Sequence, residues 1–376
     1  MTASGLLLDR AVSTDLGRTI QQQSLARWGE DRPTIIIGRH ASMVAALERL
    51  ARFALSDSPV LIMGETGTGK ELFARALYLL SPRSSGPLVS VNCAQYQDGH
   101  LIASELFGHR RGSFTGAIAD HRGVFEEADG GAVMLDEIGE LPPVAQAMLL
   151  RALSEGEIVP VGAAHSRKVN VRVIAATSRD LKQLVEAGQF RMDLYYRLRY
   201  LSLSVPPVRE RGGDWELILN FFLERLSAAR ACAKHFSTEA MALLHGYSWP
   251  GNVRELKSMV ETGFHLSDGE TIEPVHFLEA LEGASRREQL RNIPLATVGL
   301  DSYARLVRGE GDFWDLVRRP FMNRELSRAD VRQVITRGLA ETRGSYKRLL
   351  QLFGIAAKDY LKFMDFLRHH DLKPDP

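Results

Sequence analysis

Residues Gly64-Glu65-Thr66-Gly67-Thr68-Gly69-Lys70 follow a short apolar run, Val60-Leu61-Ile62-Met63, and open a segment of helical pattern from Glu71 to Leu80. A strand that ends in a glycine loop and passes directly into a helix is a phosphate-binding arrangement. The glycines let the backbone turn tightly and aim its N–H groups at phosphate oxygens. Lys70 adds a positive charge, and the helix N-terminus adds its dipole. This order of elements restricts the chain to α/β layer folds and makes it a nucleotide-binding protein before anything else is read.

The remaining sequence fits that class. Short apolar runs recur at Pro59–Met63, Leu88–Val91, Ala132–Leu135, Val171–Ala175 and Tyr200–Val205, with helical patterns between them. Runs of this kind suit buried parallel strands joined by helical crossovers. Past Pro206-Pro207 the pattern becomes wholly helical, with helices expected over Trp215–Arg230, Thr238–His245 and Asn252–Leu266. The boundaries expected are a polar lead-in over 1–34 with a short helix near Leu16 to Trp28, an α/β subdomain over 35–206 and a helical lid over 207–282. A linker with a helical stretch over 283–325 and a helical domain over 326–376 complete the chain.

Composition excludes several classes. The chain of 376 residues has a net charge of +1, so no global field draws it to nucleic acid. Cys93 and Cys232 lie far apart and lack metal-site spacing, which speaks for a reducing compartment. No apolar stretch approaches the ~18 residues of a membrane span, and the first 32 residues lack a signal-peptide layout. The expected location is cytoplasmic.

A second nucleotide element, Gly131-Ala132-Val133-Met134-Leu135-Asp136-Glu137, places two carboxylates at a strand end. Asp136 would hold Mg²⁺ and Glu137 would polarise the attacking water of a hydrolysed ATP. An acidic cap after a strand is the alternative for this element alone. The phosphate loop sixty-six residues earlier favours hydrolysis. Position 71 is glutamate where many such loops carry a metal-binding Ser or Thr.

From Ile36 to about Leu281 the chain resembles the AAA+ domain of bacterial enhancer-binding proteins, the activators of sigma-54 RNA polymerase. The Gly-Glu-Thr-Gly-Thr-Gly-Lys-Glu loop, with Glu71, is the form this family uses. Glu105-Leu106-Phe107-Gly108-His109 is followed by Gly112-Ser113-Phe114-Thr115-Gly116-Ala117. The second stretch is similar to the family's sigma-54 contact loop, with Ser113 in place of alanine. Gly112 and Gly116 permit unusual dihedrals, while Phe114 and Thr115 offer an apolar and a polar handle. Arg110 and Arg111 make the approach to the loop more basic than is usual.

The resemblance implies further roles, position by position. Asn92 matches the switch asparagine that senses the water-polarising glutamate. Thr177 matches the first sensor, although Ser178 stands where the family usually has asparagine. Arg191 and Arg197 match the pair that reaches a neighbouring subunit's nucleotide, which implies a homo-oligomeric ring, expected to be a hexamer. Arg254, in Trp249-Pro250-Gly251-Asn252-Val253-Arg254, matches the second sensor on the lid.

The family usually ends in a helix-turn-helix. Tyr346 to Ile355 could supply its first helix and turn, and Ala356 to Leu367 its recognition helix. From Leu326 to Pro376 there are ten Lys or Arg against six Asp or Glu. Lys358, Lys362 and Arg368 would lie on or near the groove-facing helix, with Lys347 and Arg348 closer to the DNA backbone. A helical oligomerisation or docking domain is the alternative for this block.

The reading is an ATPase that remodels the sigma-54 polymerase closed complex from an upstream, enhancer-like DNA site. The rival is a nucleotide-gated DNA-binding regulator that leaves sigma-54 untouched. Only about 34 residues precede the ATPase core. Regulation is therefore expected from a separate protein, from expression level, or from the segment 283–328.

Overall fold

Five of the apolar runs form one parallel sheet. They are β1 (Val60–Met63), β2 (Leu88–Asn92), β3 (Ala132–Asp136), β6 (Arg172–Thr177) and β7 (Leu201–Ser204). A two-residue pair, β4 (Glu157–Ile158) with β5 (Arg167–Lys168), lies between β3 and β6 in the chain. The sheet order is β2-β3-β6-β1-β7, and every pairing in it is parallel. The structure is a computed structural model. It describes residues 14–30, 33–96, 99–114, 116–281, 302–303, 305–323, 326, 328–342, 345–370 and 372.

The strands read as unbroken apolar runs because helices cover both faces of the sheet. Side chains alternate between two cores, as the strand period of two requires. Leu61, Val133, Leu135, Val173 and Ala175 face one core, with Leu106, Phe107, Phe125 and Leu149. Val60, Ile62, Met134, Ile174 and Ala176 face the other, with Leu50, Phe73 and Leu77. The lead-in contributes to the second core. Its helix, Asp15–Trp28, is capped by Thr14, whose Oγ1 accepts from Gly17 N at 3.0 Å. Ile20 is fully buried, and Trp28 stacks against Tyr78 with ring centroids 6.2 Å apart.

The lid is built from the helices Asp214–Arg230, Thr238–His245 and Asn252–Leu266. Their shared core holds Trp215, Trp249, Leu256 and Phe264, and it also takes Ile35 and Ile37 from the segment before β1. The strands β8 (His235–Phe236) and β9 (Thr271–Ile272) pair in parallel within it. Strands of two residues are too short for an alternating pattern to announce.

The chain divides into the units Met1–Ala284 and Ser285–Pro376. The second unit has its own core of Tyr303, Leu306, Phe313, Val317, Leu349, Phe353, Phe363 and Leu367, among others. Phe313 stacks on Phe353 at 5.8 Å and meets Phe363 edge-on at 5.0 Å. The boundary expected at 325/326 therefore cuts through one hydrophobic core, because Phe313 is fully buried against the helices that follow. The two candidate helix-turn-helix elements are Tyr346–Leu352 and Tyr360–His369, with Gly354 at φ 64° in the turn. A 3₁₀ turn, Ala357–Asp359, starts the second helix later than the expected Ala356.

Candidate functional site

The phosphate loop closes on itself. Lys70 is buried, and its Nζ donates to the carbonyls of Gly64 at 3.0 Å and Glu65 at 3.2 Å. Thr68 Oγ1 donates to the Glu65 carbonyl at 2.8 Å. Gly67 sits at φ 82°, and a Cβ there would meet the Gly251 carbonyl oxygen at 2.3 Å. Only glycine fits that position. Gly69 stands at the start of the helix Lys70–Leu79, whose first turn carries Glu71. The Glu71 carboxylate faces outward and pairs with Arg75 at 2.5 Å.

The end of β3 brings the two carboxylates to this loop. Glu137 Oε1 lies 3.6 Å from Lys70 Nζ. Asp136 is held above the usual carboxylate range, first by burial and then by the neighbouring Glu137, with Lys70 pulling the other way. A half-buried carboxylate kept from ionising easily is a site that a cation would relieve, so Asp136 fits the Mg²⁺ expected here. The buried thiol of Cys93 is pushed up to about 12 by burial and then by Asp136, which makes it inert as a nucleophile.

Glu137 adopts the left-handed conformation, φ 50°. Its Oε2 accepts from Ser178 N at 2.9 Å and Ser178 Oγ at 2.8 Å. Thr177 is buried beside it, and its Oγ1 accepts from Arg179 N at 3.0 Å. Asn92 pairs in register with Asp136, and its Oδ1 accepts from Ala94 N at 2.9 Å. The structure thus gathers Asp136, Glu137, Asn92 and Thr177 at adjacent strand ends, with Lys70 at the start of its helix facing Glu137. It adds Ser178, which the sequence marked only as a departure.

The lid meets the loop through Arg209 and Arg211, in the stretch Pro206 to Arg211 that resembles the family's join between core and lid. Arg209 grips both oxygens of Glu65, at 2.8 and 2.5 Å. That contact, ahead of a further one from Asn252, holds the Glu65 carboxyl below its usual range against the opposing effect of burial. Arg211, buried, donates to the carbonyls of Pro206 at 2.9 Å and Thr68 at 2.8 Å. Burial lowers its guanidinium to about 10 while Asp214 opposes the shift. Val253 N donates to Gly67 O at 3.0 Å, so Arg254, exposed in the first turn of the lid helix, stands over the loop. Beside it a cavity of about 320 Å³ is lined by Ile35, Ile37, Leu72, Phe222 and Val253 among others. Such an apolar slot next to a phosphate cradle suits a nucleotide base.

The two arginines expected to act on a neighbour's nucleotide are both engaged within their own chain. Arg191 pairs with Asp193 at 2.8 Å, and Arg197 donates to the Leu153 carbonyl at 2.8 and 3.2 Å. Buried Gln146 fixes the backbone there, its Oε1 accepting from Arg191 N at 2.9 Å.

The Gly112–Ala117 loop rises between the helices Gly99–Phe107 and Val124–Glu127. Antiparallel bonds between His109 and His121 close its base, and the Asp120 carboxylate takes Arg111 N at 2.8 Å and the Arg110 guanidinium. Asp120 thus pairs the charge of Arg110 and caps the backbone of Arg111. Gly112 and Gly116 have φ 79° and 109° and nothing near their Cα faces. Ser113 and Phe114 are half-buried and Ala117 is buried; the Phe114 ring lies edge-on against His109 at 4.9 Å. The apolar side chain most exposed beside the loop is Ile118, 84 % accessible. Thr115 lies outside the described residues.

In the second unit Lys347, Arg348, Lys358, Lys362 and Arg368 are all exposed. Lys362 Nζ sits 4.5 Å above the Trp314 ring, and Arg368 lies 3.7 Å from Asp365. Among the described residues no helix is long and apolar enough to cross a membrane.

Residues 36–204 match the family described as the sigma-54 interaction domain, and residues 209–293 match the AAA+ ATPase lid domain. The chain belongs to the sigma-54-dependent AAA+ regulators. The hydrogenase transcriptional regulatory protein HoxA of Cupriavidus necator is 45 % identical over 256 residues, 68 % of this chain and 53 % of the relative. The Nif-specific regulatory protein of Azotobacter vinelandii is 42 % identical over 266 residues, 71 % of this chain and 50 % of the relative. The chain spans about half the length of these curated relatives. A crystal structure of NtrX from Brucella abortus in complex with ATP aligns with a TM-score of 0.60 at 26 % identity, covering 91 % of this chain and 70 % of that one. The parallel sheet and the lid are those of a sigma-54-dependent AAA+ regulator.

Proposed function

We propose that this AAA+ regulator hydrolyses ATP and uses the cycle to remodel the sigma-54 polymerase closed complex. The observation that carries the reading is the convergence of Lys70 and Ser178 on Glu137, beside Asp136 and under a lid. That set can hold phosphate, metal and water at one point. Gly64 to Glu71 cradle the phosphates, and Lys70 turns its charge from the loop carbonyls to the phosphate oxygens. Asp136 holds Mg²⁺, which when bound neutralises charge on the phosphates. Glu137, oriented by Ser178, polarises the attacking water, with Asn92 and Thr177 placed to sense its state. Arg254 reaches the nucleotide from the lid. Arg191 and Arg197 act on the nucleotide of the next copy, so the active form is a ring, proposed as a hexamer.

The Gly112–Ala117 loop is the proposed contact with sigma-54, supported by the open faces of its two glycines, Gly112 and Gly116, and the family match across it. The second unit is the proposed anchor on upstream DNA, through Lys347, Arg348, Lys358, Lys362 and Arg368.

The test is open-complex formation by sigma-54 polymerase with ATP, comparing wild type with Thr115→Ala. Activation by wild type alone, with ATPase activity kept in the variant, is expected. Failure of both despite measurable turnover would overturn remodelling and leave a nucleotide-gated DNA-binding regulator.

A further inference from the structure

We infer that Asn252, the first residue of the lid helix, is a positioning residue that couples the phosphate loop to the lid. The inference rests on the reading of residues 64–71 as the ATP site. Asn252 is fully buried, and its one side chain touches three separate stretches of chain. Nδ2 donates to Glu65 Oε2 at 3.1 Å and to the Thr66 carbonyl at 3.2 Å, both in the phosphate loop. It also lies 3.3 Å from the Pro250 carbonyl in its own turn. Oδ1 accepts from Val208 N at 2.8 Å, in the join between core and lid.

Three features make this side chain specific. The backbone of Asn252 is left-handed, φ 53°, a conformation that asparagine tolerates better than most residues. A carboxylate in its place could not donate to Thr66, and an aliphatic residue would leave Val208 N buried without a partner. The neighbouring backbone repeats the connection, since Val253 N donates to Gly67 O at 3.0 Å. Gly67 is so close to Gly251 that no side chain fits between loop and lid. The Glu65 carboxylate is shared between Asn252 and Arg209, which sits in the same join as Val208.

A shift of the loop backbone on taking up phosphates therefore moves the acceptors of Asn252, and the lid helix and join move with them. The loop and the lid are one hydrogen-bonded body at this point, so ATP affinity and lid position depend on the same side chain.

The experiment compares wild type, Asn252→Asp, Glu65→Gln and the double variant Asn252→Asp with Glu65→Gln, reading ATP dissociation constants by calorimetry. Asn252→Asp keeps the acceptor for Val208 but sets a carboxylate against Glu65. ATP affinity is expected to fall by about tenfold or more, the scale of one lost charge-assisted bond with repulsion added. The double variant restores a donor–acceptor pair with its direction reversed, and it is compared with Glu65→Gln alone so that the lost Arg209 ion pair cancels; Asn252→Asp should cost little ATP affinity once Glu65→Gln is present. An Asn252→Asp loss that is the same in both backgrounds, with all variants folded by circular dichroism, would overturn the coupling. Hydrogen exchange in the wild type gives a reading that needs no variant. The Val208 and Val253 amides should slow on adding ATP together with the loop. Slowing of the loop alone would also overturn it. Lys70→Ala serves as the separate check: undiminished ATP binding there would remove the nucleotide site itself, whatever Asn252 does.

Discussion

Ser178 gives two hydrogens to a single oxygen of Glu137, one from its backbone at 2.9 Å and one from its hydroxyl at 2.8 Å. The other Glu137 oxygen faces Lys70. The carboxylate is thereby fixed at both ends on a residue whose backbone is itself left-handed. The serine stands where the resemblance implies an asparagine, and its hydroxyl donates to the glutamate directly.

Ser178→Ala removes the hydroxyl bond and keeps the backbone one. Turnover at saturating ATP should fall by about tenfold, as a single positioning bond of ~1–1.5 kcal/mol predicts. ATP affinity should stay near the wild-type value, because Ser178 touches neither the loop nor the lid in the described contacts. A steady-state ATPase assay with a separate binding measurement checks this. Equal loss in both would mean that Ser178 supports the fold and not the glutamate.

Asp136 carries a cost in the nucleotide-free protein. Its carboxyl is raised above the ordinary range by burial and by Glu137. A raised carboxyl favours the folded state while it is protonated, so its contribution is present in acid and lost as pH rises through the shifted value. Asp136→Asn should then raise the unfolding midpoint of the ligand-free protein at neutral pH and leave it unchanged in acid. The same variant should abolish ATP turnover. Thermal melts at two pH values decide it; a lower midpoint at neutral pH would contradict the account.

Most of the fold was legible because its signals are local and strong. The five strand runs, the loop glycines and the helices Thr238–His245 and Asn252–Leu266 lie where the pattern put them. What the pattern missed depends on distant partners. Nothing around Phe313 announces that it stacks on Phe353, so a helical stretch that belongs to this core was set apart from it with the linker. Asn252 read as the residue that opens a helix, since its bonds to Glu65, Thr66 and Val208 cross the chain by many residues. Phe114, between glycines, could be read as a handle or as a ring tucked back on its own loop; the structure lays it against His109, five residues away but across a bend.

Phe313→Ala tests whether the second unit is held by that hidden core. Removing a fully buried phenylalanine should cost that unit about 3–5 kcal/mol. Denaturant unfolding should show the loss in one transition, with DNA retention falling and ATP turnover kept. An equal shift of every transition would mean that the two units do not unfold separately.

Arg197 supplies the sharpest test of assembly. In the isolated chain it donates to the Leu153 carbonyl near the end of the helix Pro143–Glu155, where a cation also meets the negative end of the helix dipole. It must leave that seat to reach a neighbouring nucleotide, where an arginine in trans can be worth ~10³–10⁵ in rate. Arg197→Ala and Lys70→Ala should each be inactive alone, one for want of the arginine and the other for want of the phosphate grip. Mixed, they create interfaces in which an intact loop meets an intact arginine, about a quarter of all interfaces in a randomly assembled ring. ATPase activity should therefore reappear on mixing and approach that share of the wild-type rate. Two inactive variants that stay inactive together, while still co-assembling by light scattering, would place Arg197 in its own subunit's structure and not in its neighbour's chemistry.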